Sequence, residues 1–181
     1  MIGVIMKTIG LIPGGMKPFH KGHDFIVQEA MHECDEVILF TSAKDRGIIK
    51  GTNMAKAWKE LIQPFLPRLD RIEFVRSPVG GVYTYLETLG VPENEYRIYA
   101  GIDEVNRFNP EYLARHLPDL TIVQPATLDP ERYDRKGAKG VDASATAVRN
   151  AIEAGNFRLF KSYLPDYLKP HAREYLRILM A

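Results

Sequence analysis

Lys17, His20 and His23 fall within one short run, Pro13-Gly14-Gly15-Met16-Lys17-Pro18-Phe19-His20-Lys21-Gly22-His23. A lysine brings a cation, two imidazoles bring hydrogen-bond donors, and glycines let backbone N–H groups approach a ligand closely. That combination suits an anion, and a phosphate first of all. Histidines at a helix start are ordinarily no more than satisfied polar residues. Here three features argue for chemistry: the glycine pair before them, the helix start they flank, and Gly22, which relieves crowding between them. The run is not a P-loop, because no Gly-Lys-Ser or Gly-Lys-Thr follows the glycines. No His-Glu-x-x-His pattern or cysteine cluster accompanies the histidines, so no metal-ligand set is read from the sequence.

The elements that must position these residues follow from periodicity. Residues 8–12 are an apolar run that reads as a buried strand, stopped by Pro13, Gly14 and Gly15. Residues 22–33 carry Phe25, Ile26 and Ala30 at helical spacing. Further strands are predicted over 36–40, 71–75, 96–100 and 120–123. Helices are predicted over 54–66, 82–89, 103–108, 110–117, 144–154, 156–163 and 166–180, with a loop over 41–52 and a turn at Pro78, Gly80 and Gly81. Strand and helix alternate, which argues for a parallel sheet covered on both faces. Right-handed crossovers then gather the strand ends at one edge, where ligands bind. The predicted fold is α/β: a Rossmann-like, three-layer sheet of about five parallel strands with a helical C-terminal extension. One domain is expected over 1–181, with the α/β core at 7–154 and the extension at 155–181.

Composition sets the outer limits. The 181 residues are 45% apolar and 26% charged, with a formal charge of +1. This is ordinary for a globular protein and gives no overall field for nucleic acid or a membrane surface. The lone Cys34 cannot form an internal disulfide, which fits a reducing, cytoplasmic setting. Residues 1–6 are too short for a signal peptide or a membrane span, and Met6 could equally be the biological start. Oligomeric state is not decided by the sequence, and a homo-oligomer is compatible with it.

A second polar motif lies downstream at Ser144-Ala145-Thr146-Ala147-Val148-Arg149. Ser144 and Thr146 are at a helix start, where hydroxyls cap or donate to phosphate. Arg149 is about one turn further on the face of Thr146 and can bind phosphate bidentately. Alone, the motif would read as an N-capped helix with a surface arginine. Together the two runs resemble the signatures of the HxGH nucleotidyltransferase superfamily, the cytidylyltransferase-like enzymes. The first is most similar to that of the short nicotinamide mononucleotide adenylyltransferases, Gly-Arg-Phe-Gln-Pro-Phe-His-x-Gly-His. Gly14, Pro18, Phe19, His20, Gly22 and His23 match it, and Gly15, Met16 and Lys17 depart from it. The second resembles Ile-Ser-x-Thr-x-x-Arg, with Ala143 where the family has a branched apolar residue. Class I aminoacyl-tRNA synthetases have similar HxGH motifs but need a longer chain and a Lys-Met-Ser-Lys-Ser motif, absent here.

The resemblance implies nucleotidyl transfer, in which an acceptor phosphate attacks the α-phosphorus of a nucleoside triphosphate and pyrophosphate leaves. It implies His20, His23, Lys17 and Arg149 as the catalytic set. Gly14, Gly15, Met16, Gly22, Gly101, Asp103, Gln124, Ser144 and Thr146 would join His20, His23 and Arg149 around the nucleotide. Gly101-Ile102-Asp103 resembles the family's Gly-x-Asp at the fourth strand end. Lys44, Arg46 and Lys50 after strand two, with Tyr83 and Tyr85 after Gly80-Gly81, are acceptor-side candidates. The family's usual Glu-Arg is not evident over 53–59. The cofactor implied is Mg2+, bridging nucleotide phosphates. The partners implied are a nucleoside triphosphate and a small phosphorylated acceptor, with no nucleic acid and no membrane. The first expectation is ATP with nicotinamide mononucleotide. CTP with a phosphorylated alcohol is the alternative, and a non-catalytic nucleotide sensor is the alternative of another class. Trp58 reads as core. In residues 127–141, Arg132, Arg135, Lys136 and Lys139 alternate with Asp129, Glu131 and Asp134, a solvated loop rather than a phosphate lid.

Overall fold

A computed structural model describes residues 6–89, 93–123 and 143–181, except the side chains of Ile102 and Asp103. Five strands, β1 (Thr8–Gly14), β2 (Glu36–Ser42), β3 (Arg71–Val75), β4 (Glu95–Tyr99) and β5 (Thr121–Val123), form one sheet in the order β3-β2-β1-β4-β5. Every pairing is parallel. The chain winds outward from β1 to β3, then returns to β4 on the other side of β1. The strand order therefore reverses at β1/β4, which opens a crevice at their carboxyl ends.

Side chains alternate across the strands with period two and fill two separate cores. Ile12, Val37, Leu39 and Tyr99 face the first core. It is covered by α1 (Lys21–Glu33), α2 (Gly51–Ala57) and the C-terminal helices α6 (Ala145–Glu153), α7 (Phe157–Ser162) and α8 (Ala172–Leu179). Ile9, Leu11, Ile38, Phe40, Tyr96 and Ile98 face the second core, beneath α3 (Pro78–Thr88) and α5 (Pro110–His116). Between β4 and α5 lies the short α4 (Ile102–Val105). The alternating strand and helix pattern, the parallel sheet and the C-terminal helices are thus as expected.

Local readings need four corrections. First, β1 does not stop at Pro13. Its ladder with β4 ends at Leu11, but its ladder with β2 continues through Pro13 opposite Phe40 and Gly14 opposite Thr41. The sheet partner, not the proline, sets the end. Second, Gly80 and Gly81 are not a turn but the first turn of α3. Ser77 caps this helix by accepting from Gly80 N at 3.2 Å, and Pro78 is pre-set for its first turn. A Cβ on Gly81 would lie 3.1 Å from Val75 and 3.2 Å from Phe40, so glycine there lets α3 sit close on the sheet.

Third, residues 54–66 are not one regular helix. After α2 the chain widens into a π turn over Trp58–Ile62 and tightens into a 3-10 turn over Gln63–Phe65. Pro64 lacks an N–H and would clash with the carbonyl four residues back, so a regular helix cannot run through it. Fourth, the stretch 166–180 is helical only from Ala172 to Leu179, after a 3-10 turn over Lys169–His171 that contains Pro170. Trp58 is fully buried in the first core, as its apolar face predicts.

Candidate active site

The phosphate-suited run leaves β1 and enters α1 on the first-core side of the sheet. Met16, Lys17, Phe19 and His20 are all buried. Met16 has φ of 48°, a left-handed value that an unbranched residue tolerates better than a β-branched one. The carbonyls of alternate residues are each taken by a different element. Thr41 of β2 donates through its hydroxyl to Gly15 O at 3.3 Å. Arg149 of α6 donates through Nη1 to Lys17 O at 2.7 Å. Tyr175 of α8 donates through its hydroxyl to Phe19 O at 3.0 Å.

His20 is the N-cap of α1, and its Nδ1 accepts from Gly22 N at 3.0 Å. Burial, with His23 and Lys21 close by acting in the same direction, holds its pKa well below the usual imidazole range. The ring is therefore neutral near pH 7. With Nδ1 accepting, the proton is on Nε2, which is left as a donor. His23 stacks on it with ring centroids 3.8 Å apart. Burial pushes the His23 pKa down to about 3, so this ring is neutral too. Its Nδ1 is buried without a hydrogen-bond partner among the described residues. The histidines thus bring directed N–H dipoles and not positive charge, which revises what their residue type suggested.

Charge comes from Lys17, Arg149 and Arg46. The Lys17 ammonium donates to Ser42 O. Burial lowers its pKa to about 8, with Asp45 acting against the shift and Arg46 adding to it. It remains mostly protonated at neutral pH. Burial and then Arg46 also lower the Arg149 pKa. Arg149 Nη2 donates to Thr146 Oγ1 at 3.2 Å, the one-turn pairing that the sequence spacing implies. Its Cδ packs near Gly47, whose φ is 55°. The two motifs meet directly: a Cβ on Gly22 would lie 3.3 Å from Ala143 O, at the threshold of α6. Ser144 caps α6, accepting from Ala147 N at 3.0 Å, and is exposed.

Lys17, His20, Gly22, His23, Thr146, Arg149 and Arg46 are thus gathered at the carboxyl end of β1. Gly14 ends β1, and Gly15 is exposed with open space where a Cβ would go. Lys44 and Lys50 are exposed on the same loop as Arg46, after β2. Gly101 follows β4, the strand across the crevice, and its carbonyl accepts from Val105 N at 2.9 Å. Asp103 belongs to α4, its side chain outside the described set, and Gln124 and residues 127–141 lie outside the described residues.

Tyr83 and Tyr85 are not at a strand end but inside α3, packed against the second core. The Tyr83 hydroxyl accepts from Asn109 N at 2.6 Å and its ring stacks on Phe108. The Tyr85 ring meets Phe40 and Tyr96, with Arg71 over it. No described contact brings either to the histidines. Sequence reasoning missed Thr41 and Tyr175, whose hydroxyls hold the loop. Neither belongs to a motif, and only their place in the fold marks them.

No protein-family model and no curated protein sequence matches the chain. Solved structures do. A candidate nicotinate-nucleotide adenylyltransferase of Vibrio parahaemolyticus aligns at TM-score 0.59 and 17% identity, over 93% of this chain and 99% of that one. A bifunctional NMN adenylyltransferase/ADP-ribose pyrophosphatase of Francisella tularensis aligns at TM-score 0.60 and 16% identity, over 97% of this chain and 53% of that one. The nicotinic acid mononucleotide adenylyltransferase of Plasmodium falciparum, in complex with NaAD, aligns at TM-score 0.54 and 11% identity, over 97% of this chain and 98% of that one. The chain has the α/β fold of these proteins, end to end in two of the three.

Proposed function

We propose that the protein transfers an adenylyl group from ATP to the phosphate of a mononucleotide, nicotinate or nicotinamide mononucleotide being the first candidates. The observation that carries this reading is the junction of the two motifs: Arg149 on the Lys17 carbonyl, and Gly22 against Ala143 O. The fold likeness to adenylyltransferases acting on pyridine mononucleotides supports it and favours ATP over CTP.

An acceptor phosphate is already an anion, so attack on the α-phosphorus needs no side-chain nucleophile and no strong base. The protein must hold two phosphate groups in line and stabilise the charge on the α-phosphate and the leaving pyrophosphate. His20 and His23, neutral and oriented, donate to α-phosphate or bridging oxygens. Lys17 supplies the buried cation beside them. Gly14, Gly15 and Met16 offer backbone N–H groups, Gly22 leaves room for the ligand between the histidines, and Ser144, Thr146 and Arg149 take the β- and γ-phosphates. Gly101 lies across the crevice, and Asp103 and Gln124 keep the nucleotide-binding role that the resemblance implies. Lys44, Arg46 and Lys50 face the acceptor phosphate.

Among the described residues no cluster of three or more His, Cys, Asp or Glu is placed to hold a metal ion. The site's donors suit phosphate rather than a cation. In this reading the triphosphate would bring any Mg2+ with it, and that ion would supply charge neutralisation, with Lys17 and Arg149 supplying the protein's own share.

The test is pyrophosphate release with ATP or CTP against a panel of phosphorylated acceptors. Release with ATP and a pyridine mononucleotide supports the assignment. Release only with CTP and a phosphorylated alcohol replaces it with cytidylyl transfer. Tight nucleotide binding with no release from any pair replaces it with a nucleotide sensor.

A further inference from the structure

The C-terminal segment reaches into the phosphate loop at three points. Tyr175 OH donates to Phe19 O at 3.0 Å. Tyr163 O accepts from Lys21 N at 2.8 Å. Tyr167 OH donates to Asp24 Oδ1 at 2.6 Å. Phe19, Lys21 and Asp24 are the residues on either side of His20 and immediately after His23. Both imidazoles are therefore bracketed by groups bonded to the C-terminal segment, more than 130 residues away in sequence.

We infer that Tyr175 is a positioning residue of the transfer reaction, its hydroxyl fixing the Phe19–His20 peptide so that His20 Nε2–H is aimed at the phosphate. The inference rests on the proposed transfer for its kinetic consequence but not for its geometry. Tyr175 is fully buried, and its hydroxyl donates to the carbonyl that immediately precedes the N-cap residue of α1. Burial holds the phenol well above its usual pKa, so the donor is present at every working pH. The Phe19 ring, next along, packs between Trp58 at 4.7 Å and His23 at 6.1 Å. A shift of the Phe19 carbonyl is thus passed to His20 through the peptide the two residues share. The C-terminal helix is itself pinned: Asn53 Nδ2 of α2 donates to Leu179 O at 3.0 Å and Ala181 O at 3.1 Å. The rod that carries Tyr175 is therefore held at its far end by the helix that follows the Arg46 loop.

A role limited to core packing makes a different forecast, because Phe in place of Tyr keeps the ring and removes only the hydroxyl. Tyr175→Phe is expected to lower kcat for ATP-dependent pyrophosphate release about 10-fold, in line with displacement of a reacting group by a fraction of an ångström. In a His20→Ala background the same change should have no further effect, since the hydroxyl acts through that ring. Tyr112→Phe, which removes a comparable hydroxyl bonded to Glu87 at 3.0 Å on the second-core side, should leave turnover within twofold. A full Tyr175→Phe loss on top of His20→Ala, or a loss that simply tracks a fall in thermal midpoint, would overturn the inference.

A second readout needs no activity. Long-range 1H–15N spectra report the ring nitrogens of His20 directly. Tyr175→Phe should move the His20 Nδ1 and Nε2 resonances, whereas Tyr112→Phe should not. Absent turnover in the wild type with moved resonances would sink the transfer assignment and leave the positioning geometry standing. Unmoved resonances would sink the positioning role whatever the activity.

Discussion

The two faces of the sheet are built from similar material but differ in how polar groups are used. On the α3/α5 face, side-chain hydrogen bonds tie neighbouring helices to each other: Tyr83 to Asn109, and Tyr112 to Glu87. They lock one element against the next and leave the strand ends alone. On the face covered by α1 and the C-terminal helices, side chains from distant elements converge on the backbone of one loop. Thr41, Arg149 and Tyr175 each take one of its carbonyls. A buried loop needs those partners, since an unpaired carbonyl costs about 1–3 kcal/mol. The difference teaches that the first face invests its polar contacts in the placement of His20 and His23, and the second in cohesion.

That contrast can be broken at several strengths. His23→Ala should lower turnover at least ~100-fold, because a lost donor to a developing oxyanion costs about 3 kcal/mol. Near-wild-type pyrophosphate release in this variant would remove the loop from the chemistry. Arg149→Ala should weaken ATP binding about 10-fold or more in calorimetry, the loss of a charge-assisted contact. Unchanged affinity would take Arg149 out of the site.

Acid sharpens the same contrast through stability. His23 is neutral when folded, with a pKa near 3, while an unfolded imidazole titrates near 6.5. Between those values the unfolded state binds more protons, so stability falls as pH drops below about 6.5. From pH 7 to 5 His23 should contribute about 2 kcal/mol of that loss, and His20 acts in the same direction. Denaturation at the two pH values should reveal it in the wild type, with a smaller difference in His23→Gln.

Alkali tests Lys17. Its pKa of about 8 means the cation is lost as pH rises through that value, so kcat/KM should decline roughly 10-fold per unit above it. Lys17→Met should show lower activity without that limb. The smallest effect belongs to the other face. Tyr83→Phe removes the acceptor for Asn109 N, and chemical denaturation should register a loss of about 1 kcal/mol. The KM for the acceptor should not move. A raised KM would return Tyr83 to the acceptor site.

Much of this was legible in the chain. Ser144 caps its helix where its type and spacing say, because capping is decided between a side chain and the next few N–H groups. The alternating pattern gave the parallel sheet for the same kind of reason, since burial on both faces requires it. Locally ambiguous signals misled. The Gly80-Gly81 pair reads as a turn until Ser77 caps a helix over it and the sheet takes up the missing Cβ space.

Residue types and spacing alone marked the two motifs, their order and their common fitness for phosphate. Only the tertiary structure decided their electrical character and their mounting. A histidine is neutral or charged according to its burial, and burial is set by Phe19, Trp58 and the C-terminal helices closing over the loop. The hydroxyls and guanidinium that hold that loop come from 26, 132 and 156 residues away. No short-range pattern carries such pairings, because they exist only once β2, α6 and α8 have packed around the end of β1.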